Sequence, residues 1–304
     1  MMFGNFVIKT KSDLINVINE YGFIPFFENS ISGFSIEEHI SSDCWWHSDT
    51  GQWSAWEWKG PVIRECGCAY GKFFENRAVF ISREWFPDFA NYRRDGYDFD
   101  ARWDDGLTSY RDKDLYELLA ANAPVVSTVL KERGNYGKGG RKGFETLITR
   151  LQAQAYVLIS DFVYPTNKAG RPYGWGLAQY STPELFFGPS FRETVYDKAP
   201  EESRERILQH LKNILPQADE QALNNLLYEV ALFNFSQFLI RDFDLQKMPV
   251  FGEGCALRVS GFVDLDEAEW WLDLVQKNAD MQAVLIGTEQ KAVTEINLPL
   301  VTAK

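Results

Sequence analysis

"RGNYGKGGRKGFETLITRLQ", Arg133 to Gln152, is the stretch on which the fold turns. Its first half is rich in glycine and carries Lys138, Arg141 and Lys142. Its second half sets Phe144, Leu147, Ile148 and Leu151 at i, i+3, i+4 and i+7, the spacing of one face of an α-helix. Five basic residues stand here against a single acid, Glu145, in a chain of formal charge -12. Upstream, "KDLYELLAAN" places Leu115, Leu118 and Leu119 on one side of a helix. "APVVSTVLKERG" reads as a second helix that stops at Gly134. Downstream, "AYVLISDFVY", the turn "PTNKAGRP" and "YGWGLAQYS" read as a two-stranded hairpin. Three short helices leading into a hairpin is the order of a winged helix-turn-helix.

Two chemistries suit a basic, glycine-rich approach to a helix. A phosphate-binding loop needs G-x-x-x-x-G-K-[ST] after a strand. Here Gly134 ends a helix, and Gly139 and Gly143 follow Lys138 and Lys142 where Ser or Thr is required. A dinucleotide fingerprint fails on the same topology, so no nucleotide cofactor is expected. DNA contact fits better. In a helix-turn-helix the second motif helix puts its N-terminal residues into the major groove, and the turn crosses a phosphate. Lys138, Arg141 and Lys142 fall at that N-terminus, Arg150 lies two turns on, and Lys168 and Arg171 occupy the hairpin tip. The competing reading is a solvated basic turn on a protein-interaction module. Acidic charge elsewhere does not decide against DNA, because salt screens it over about 8 Å.

On the N-terminal side, Thr10 to Asn19 reads as a helix with Thr10 as its cap and Asp13 completing a capping box. A looser aromatic region follows. Then come a helix around Val62 to Tyr70, a strand Ala78 to Ser82, and a helix punctuated by Pro87. On the C-terminal side, Glu201 to Leu215 and Asp219 to Leu232 are helices. From Phe233 the texture changes to short strands and one acidic amphipathic helix. No internal repeat is visible. The expected class is α+β: mainly α winged helix-turn-helix domains with a small C-terminal α+β module. The expected divisions are 1–110, mainly helical and winged-helix-like; 111–188, a winged helix-turn-helix; 189–232, helical; and 233–304, a small α+β domain. The acidic last domain is a candidate surface for a protein partner.

Aromatic residues make up 15% of the 304 residues, enough apolar surface for packed cores. No apolar run approaches the ~18–20 residues of a membrane span. The N-terminus carries no apolar h-region, so the expectation is a cytoplasmic protein without a membrane partner. Four cysteines are too few for a disulfide scaffold. Cys44 with His47, and Cys66 with Cys68, offer soft ligands for zinc. The spacing C-x-C is tight and the surroundings are aromatic, so buried free thiols, with no metal and no cofactor, are the preferred reading.

"EWKGPVIRECGCAYGK", "ISREWFPDFANYRR" and "RKGFETLITRLQ" together resemble the AlkZ-like (YcaQ-like) family of tandem winged-helix DNA glycosylases, in its shorter AlkZ-related branch. The resemblance covers roughly the first 230 residues. It implies winged helices, DNA engagement and a role in DNA repair or damaged-DNA recognition. The family's catalytic signature is Gln-x-Gln or Gln-x-Asp just after the first helix. The matching segment here is "EYGFIPFFEN", which puts Pro25, Phe26 and Phe27 at the polar positions, with Glu28 nearest. The resemblance thus implies DNA binding without the usual catalytic pair. Glu57, Glu84 and Asp88 lie among aromatics and are the carboxylates available for a relocated glycosylase site, since burial beside Trp raises a carboxyl pKa. The preferred alternative has them capping helices or pairing with Arg64, Arg83 or Arg93.

Overall fold

The computed structural model describes residues 3–4, 6–45, 54–167 and 174–227. It also describes the backbone of 244–249, 255–260, 284–286 and 295–300. The chain divides into two compact units, residues 1–99 with 114–231, and residues 100–113 with 232–304. It is a mixed helical and antiparallel-sheet structure.

The first unit begins with α1 (Lys11–Tyr21). The Thr10 hydroxyl accepts from the Asp13 amide at 3.2 Å, and the Asp13 carboxylate accepts from the Thr10 amide at 2.9 Å, as the capping box predicts. β1 (Phe23–Pro25), α2 (Ile36–His39), α3 (Ser42–Trp45) and α4 (Ala55–Cys66) follow. Then β2 (Ala69–Phe74) and β3 (Arg77–Ile81) form a hairpin. Here the sequence reading is corrected twice. The helix expected at Val62 to Tyr70 instead starts at Ala55 and ends where Gly67 turns left-handed at φ 62°. Ala69 and Tyr70 already belong to β2, and "YGFIPFF" holds a strand, β1, paired with β3. A single apolar run cannot separate a buried strand from a helix end, and the glycine is what decides.

α5 (Phe86–Arg94) carries Pro87 within its first turn, where no amide is needed. α6 (Phe99–Asp104) leads to α7 (Tyr110–Ala120), and residues 100–113 of this stretch are counted with the second unit. β4 (Val125–Val126), α8 (Ser127–Arg133), α9 (Phe144–Ala153), β5 (Leu158–Val163) and β6 (Leu177–Ser181) come next. The expected second helix is therefore shorter than the pattern suggested. Val125 and Val126 pair with Tyr180 and Gln179 instead, as suits β-branched residues beside an open strand. Phe144, Leu147, Ile148 and Leu151 are buried as their period demands.

The two sheets of this unit share one plan. The first is ordered β1-β3-β2 and the second β4-β6-β5, all antiparallel. Each arises from helix, short strand, helices and hairpin, so the chain repeats a topology that its sequence does not display as a repeat. α10 (Pro183–Phe187), α11 (Ser190–Val195), α12 (Pro200–Ile214) and α13 (Glu220–Leu227) complete the unit.

α5 is the keystone. Arg94 is 1% exposed. Its guanidinium donates to the Ala155 carbonyl at 2.8 Å, to Glu184 at 2.7 Å and to the Tyr196 hydroxyl at 2.9 Å, over the ring of Tyr156. Burial works to lower its pKa, but the charge of Glu184, the hydroxyls of Tyr196 and Tyr156 and the hydrogen bond to Glu184 together outweigh it, so the pKa is raised. Arg93, also buried, donates to the Phe73 carbonyl. In the second unit, β7 (Asp244–Pro249), β8 (Cys255–Ser260), β9 (Val284–Ile286) and β10 (Glu295–Leu300) form an antiparallel sheet ordered β7-β8-β10-β9.

Candidate functional site

The glycine-rich approach to α9 folds back on itself. The Arg141 amide donates to the Asn135 carbonyl at 2.6 Å, and Gly140 lies so close to that carbonyl that a Cβ would overlap it. The glycine therefore closes the loop internally. Gly143, the residue before α9, sits at φ 93°, a conformation that side chains disfavour, and has no side chain with which to cap the helix. The first amides of α9 thus have no N-cap side chain to donate to.

The basic residues separate into two sets. Lys138 and Lys142 are exposed. Arg141 is half-buried: it donates to Asp114 at 2.5 Å and lies 5.1 Å over the Tyr136 ring, so it builds the loop. Arg150, two turns further on, is half-buried. Lys131 pairs with Glu145, the one acid of the stretch, at 2.6 Å. Lys168 and Arg171 lie outside the described residues, as does His47.

The candidate carboxylates are occupied structurally. Glu57 closes a capping box on α4, accepting from the Ser54 amide at 2.7 Å and from its hydroxyl. Asp88 is buried and accepts from Arg206 at 2.5 Å and Ser203 at 3.1 Å, with Lys198 at 3.9 Å. Glu84 is exposed on the rim of a cleft of about 320 Å³ that Arg83, Asp88, Lys198 and Arg206 also line. Glu84 and Asp88 share that cleft; Glu57 is not among its lining residues. Asp88 and Glu57 take the capping and pairing roles, although with Arg206 and Ser54 rather than the arginines expected; Arg64 pairs with Asp161.

Pro25 and Phe26 are fully buried and Phe27 is half-buried, while Glu28 is exposed. Positions 25 to 27 hold a proline and two phenylalanines, with no amide or carboxylate side chain among them. Phe26 stands instead in a cluster of rings, 5.4 Å from Trp45 and 5.4 Å from Trp56 by centroid, and Trp56 meets Trp175 at 6.1 Å. The Lys59 ammonium enters this cluster, 4.4 Å from the Phe162 ring centre, 4.8 Å from Trp56 and 5.6 Å from Phe26. Burial pushes its pKa down to about 8, opposed by the charge of Glu57. Lys59 escaped the sequence reading. The signal was its i+3 spacing from Trp56 in "WEWKG", followed by Gly60, which lets α4 approach β5: a Cβ there would sit 2.7 Å from the Asp161 carboxylate.

Cys44 donates from sulfur to the Lys9 carbonyl at 3.3 Å. Cys66 and Cys68 share a hydrogen bond, which lowers the Cys66 pKa, while burial raises that of Cys68. All three are free thiols, and among the described residues no three His, Cys, Asp or Glu side chains come together to hold a metal. Among the described residues no helix is long and apolar enough to cross a membrane.

Comparison with known proteins gives one structural likeness and one family. DNA glycosylase AlkZ of Streptomyces sahachiroi aligns at 12% identity and a TM-score of 0.33, over 77% of this chain and 62% of that one. The chain thus spans about three-fifths of that protein's length. No curated protein matches. The sequence model of the family described as "AlkZ related" matches residues 8–228, most of the chain. This chain belongs to the AlkZ-related family.

Proposed function

We propose that the chain binds duplex DNA through a winged helix formed by α7 to β6, with α9 as the helix that meets the groove. The observation that carries this is the pair of exposed lysines, Lys138 and Lys142, at an α9 N-terminus that has no capping side chain. Backbone amides at a helix start and nearby lysines both favour phosphate. The helix–strand–helix–helix–hairpin order and the β4-β6-β5 sheet support the same reading. Lys168 and Arg171, which lie between β5 and β6 in sequence and outside the described residues, are proposed to belong to it, as is Arg150 in the second turn of α9. The residues that stand where the family carries its polar pair are Pro25, Phe26 and Phe27, so the proposed role is recognition of DNA, in repair or at damaged sites, without excision of alkylated purines. The proposed divisions remain 1–110, 111–188, 189–232 and 233–304, the last an acidic surface for a protein partner.

Fluorescence anisotropy of a labelled duplex across a salt series tests this. Four engaged contacts, Lys138, Lys142, Lys168 and Arg171, predict a slope of log K against log salt of about -3 to -4, each contributing about -0.9. Lys138→Ala/Lys142→Ala should weaken binding to all sequences and flatten the slope by about 2. Unchanged affinity and slope would remove this face from DNA binding and favour a protein partner. Release of free base from methylated DNA, lost in Glu57→Gln or Asp88→Asn, would overturn the statement about excision.

A further inference from the structure

We infer that Lys59 is a nucleophile that captures the ring-opened aldehyde of an abasic deoxyribose as an imine. The inference rests on the DNA-binding reading and deepens it by naming a covalent partner. Three features carry it. First, the amine is placed among Phe26, Trp56 and Phe162 with no carboxylate within ion-pair reach among the described residues. A lysine with a structural role is normally tied to an anion, and this one is held by ring faces, which orient the charge without neutralising it. Second, Lys59 is half-buried, and burial among the rings desolvates its amine. Desolvation in an apolar pocket is how a lysine is made to react with carbonyls. At a pKa of about 8, roughly one molecule in ten carries the neutral amine at pH 7.

Third, the surroundings suit a nucleotide drawn out of a stack. Trp175 is 75% exposed, beside Trp56 at the base of the β5–β6 hairpin, and Val163 on the same hairpin is exposed as well. An exposed indole backed by a second ring is a stacking surface for a base. A sugar lacking its base exposes C1′ as an aldehyde and is the least costly residue to extrude, having no pairing or stacking of its own to lose. The chemistry balances without a further reagent. The neutral Nζ adds to C1′ to give a carbinolamine, which loses water to leave the C1′=Nζ imine; both protons removed from nitrogen leave in that water or return to solvent.

The test is borohydride trapping on a duplex with one abasic site, beside anisotropy on a duplex with a tetrahydrofuran analogue that has no aldehyde. The expected result is a covalent adduct with the abasic duplex, mapped by peptide mass spectrometry to Lys59. Lys59→Arg and Lys59→Met should lower adduct yield at least tenfold while both still bind the tetrahydrofuran duplex. Trapping should rise as pH increases from 6 to 8. An adduct on another amine, or none while the tetrahydrofuran duplex is still bound, overturns the assignment of Lys59 and leaves the DNA reading standing. Failure to bind either duplex overturns both.

Discussion

The two modules of the first unit follow one topology and treat their helix starts in opposite ways. In the first, Ser54 caps α4, and Glu57 folds back to fill the positions that an outside anion would take. Its hairpin closes through Glu75 and Asn76, both left-handed at φ 48° and 56°, with no residue to spare. In the second, α9 begins at a glycine, flanked by exposed Lys138 and Lys142, and thirteen residues separate β5 from β6. The first module caps this helix from within and packs the rings of Phe26, Trp45 and Trp56 together. The other starts its helix without a capping side chain. A shared fold therefore does not imply a shared use; the capping residue and the hairpin length distinguish them.

The comparison breaks first at Arg94, which joins the modules by reaching from α5 to the carbonyl of Ala155 just beyond α9. Arg94→Met strands Glu184 and that carbonyl and should cost about 3–5 kcal/mol by urea unfolding. A loss below about 1 kcal/mol would mean that the modules do not depend on it. Next comes Gly60→Val, which forces α4 off β5 and should cost about 1–3 kcal/mol, while the matching change at exposed Gly137 costs little. Equal costs at the two sites would erase the distinction.

The contrast sharpens at the helix starts. Glu57→Ala should lose about 1 kcal/mol of stability. Lys142→Ala should stay within about 0.5 kcal/mol yet weaken DNA binding. A thermal melt with a parallel DNA titration on each variant checks both, and the reverse pattern would sink the assignment of roles. The smallest effect is in His210, which stacks on Trp85 at 4.1 Å and donates to the Tyr21 carbonyl at 2.8 Å. Burial lowers its pKa below 6.5, partly offset by that carbonyl. The fold therefore prefers the neutral ring. Its contribution is complete above pH 6.5 and is lost as pH falls through the lower folded value. His210→Phe should flatten the corresponding decline in melting temperature between pH 7 and pH 5; an unaltered profile would place the acid sensitivity elsewhere.

Much of the second module was legible. The spacing of Phe144, Leu147, Ile148 and Leu151 named the buried face of α9, and the β5–β6 hairpin followed from its strand residues and turn. What periodicity cannot give is partnership between distant segments. Arg141 looked like the other basic residues of its stretch, and its ion pair with Asp114, twenty-seven residues earlier, helps set it apart. Val125 and Val126 read as helix until Tyr180 and Gln179 came beside them. The repeated topology was hidden because its two copies share strand order rather than residue pattern. Lys59 was overlooked because its environment is assembled from Phe26, Trp56 and Phe162, of which only Trp56 is near in sequence.

The buried guanidinium of α5 also bears on how the chain is made. The acceptors of Arg94 come from Ala155, Glu184 and Tyr196, the last 102 residues further along. During synthesis at about 5–20 residues per second, roughly 5–20 s pass between the appearance of that charge and of its final partner. Through that interval the first module cannot close its rear face without burying an unmatched cation. Completion of the N-terminal half is thereby tied to the arrival of the C-terminal helices, and the order of translation differs from the order of consolidation.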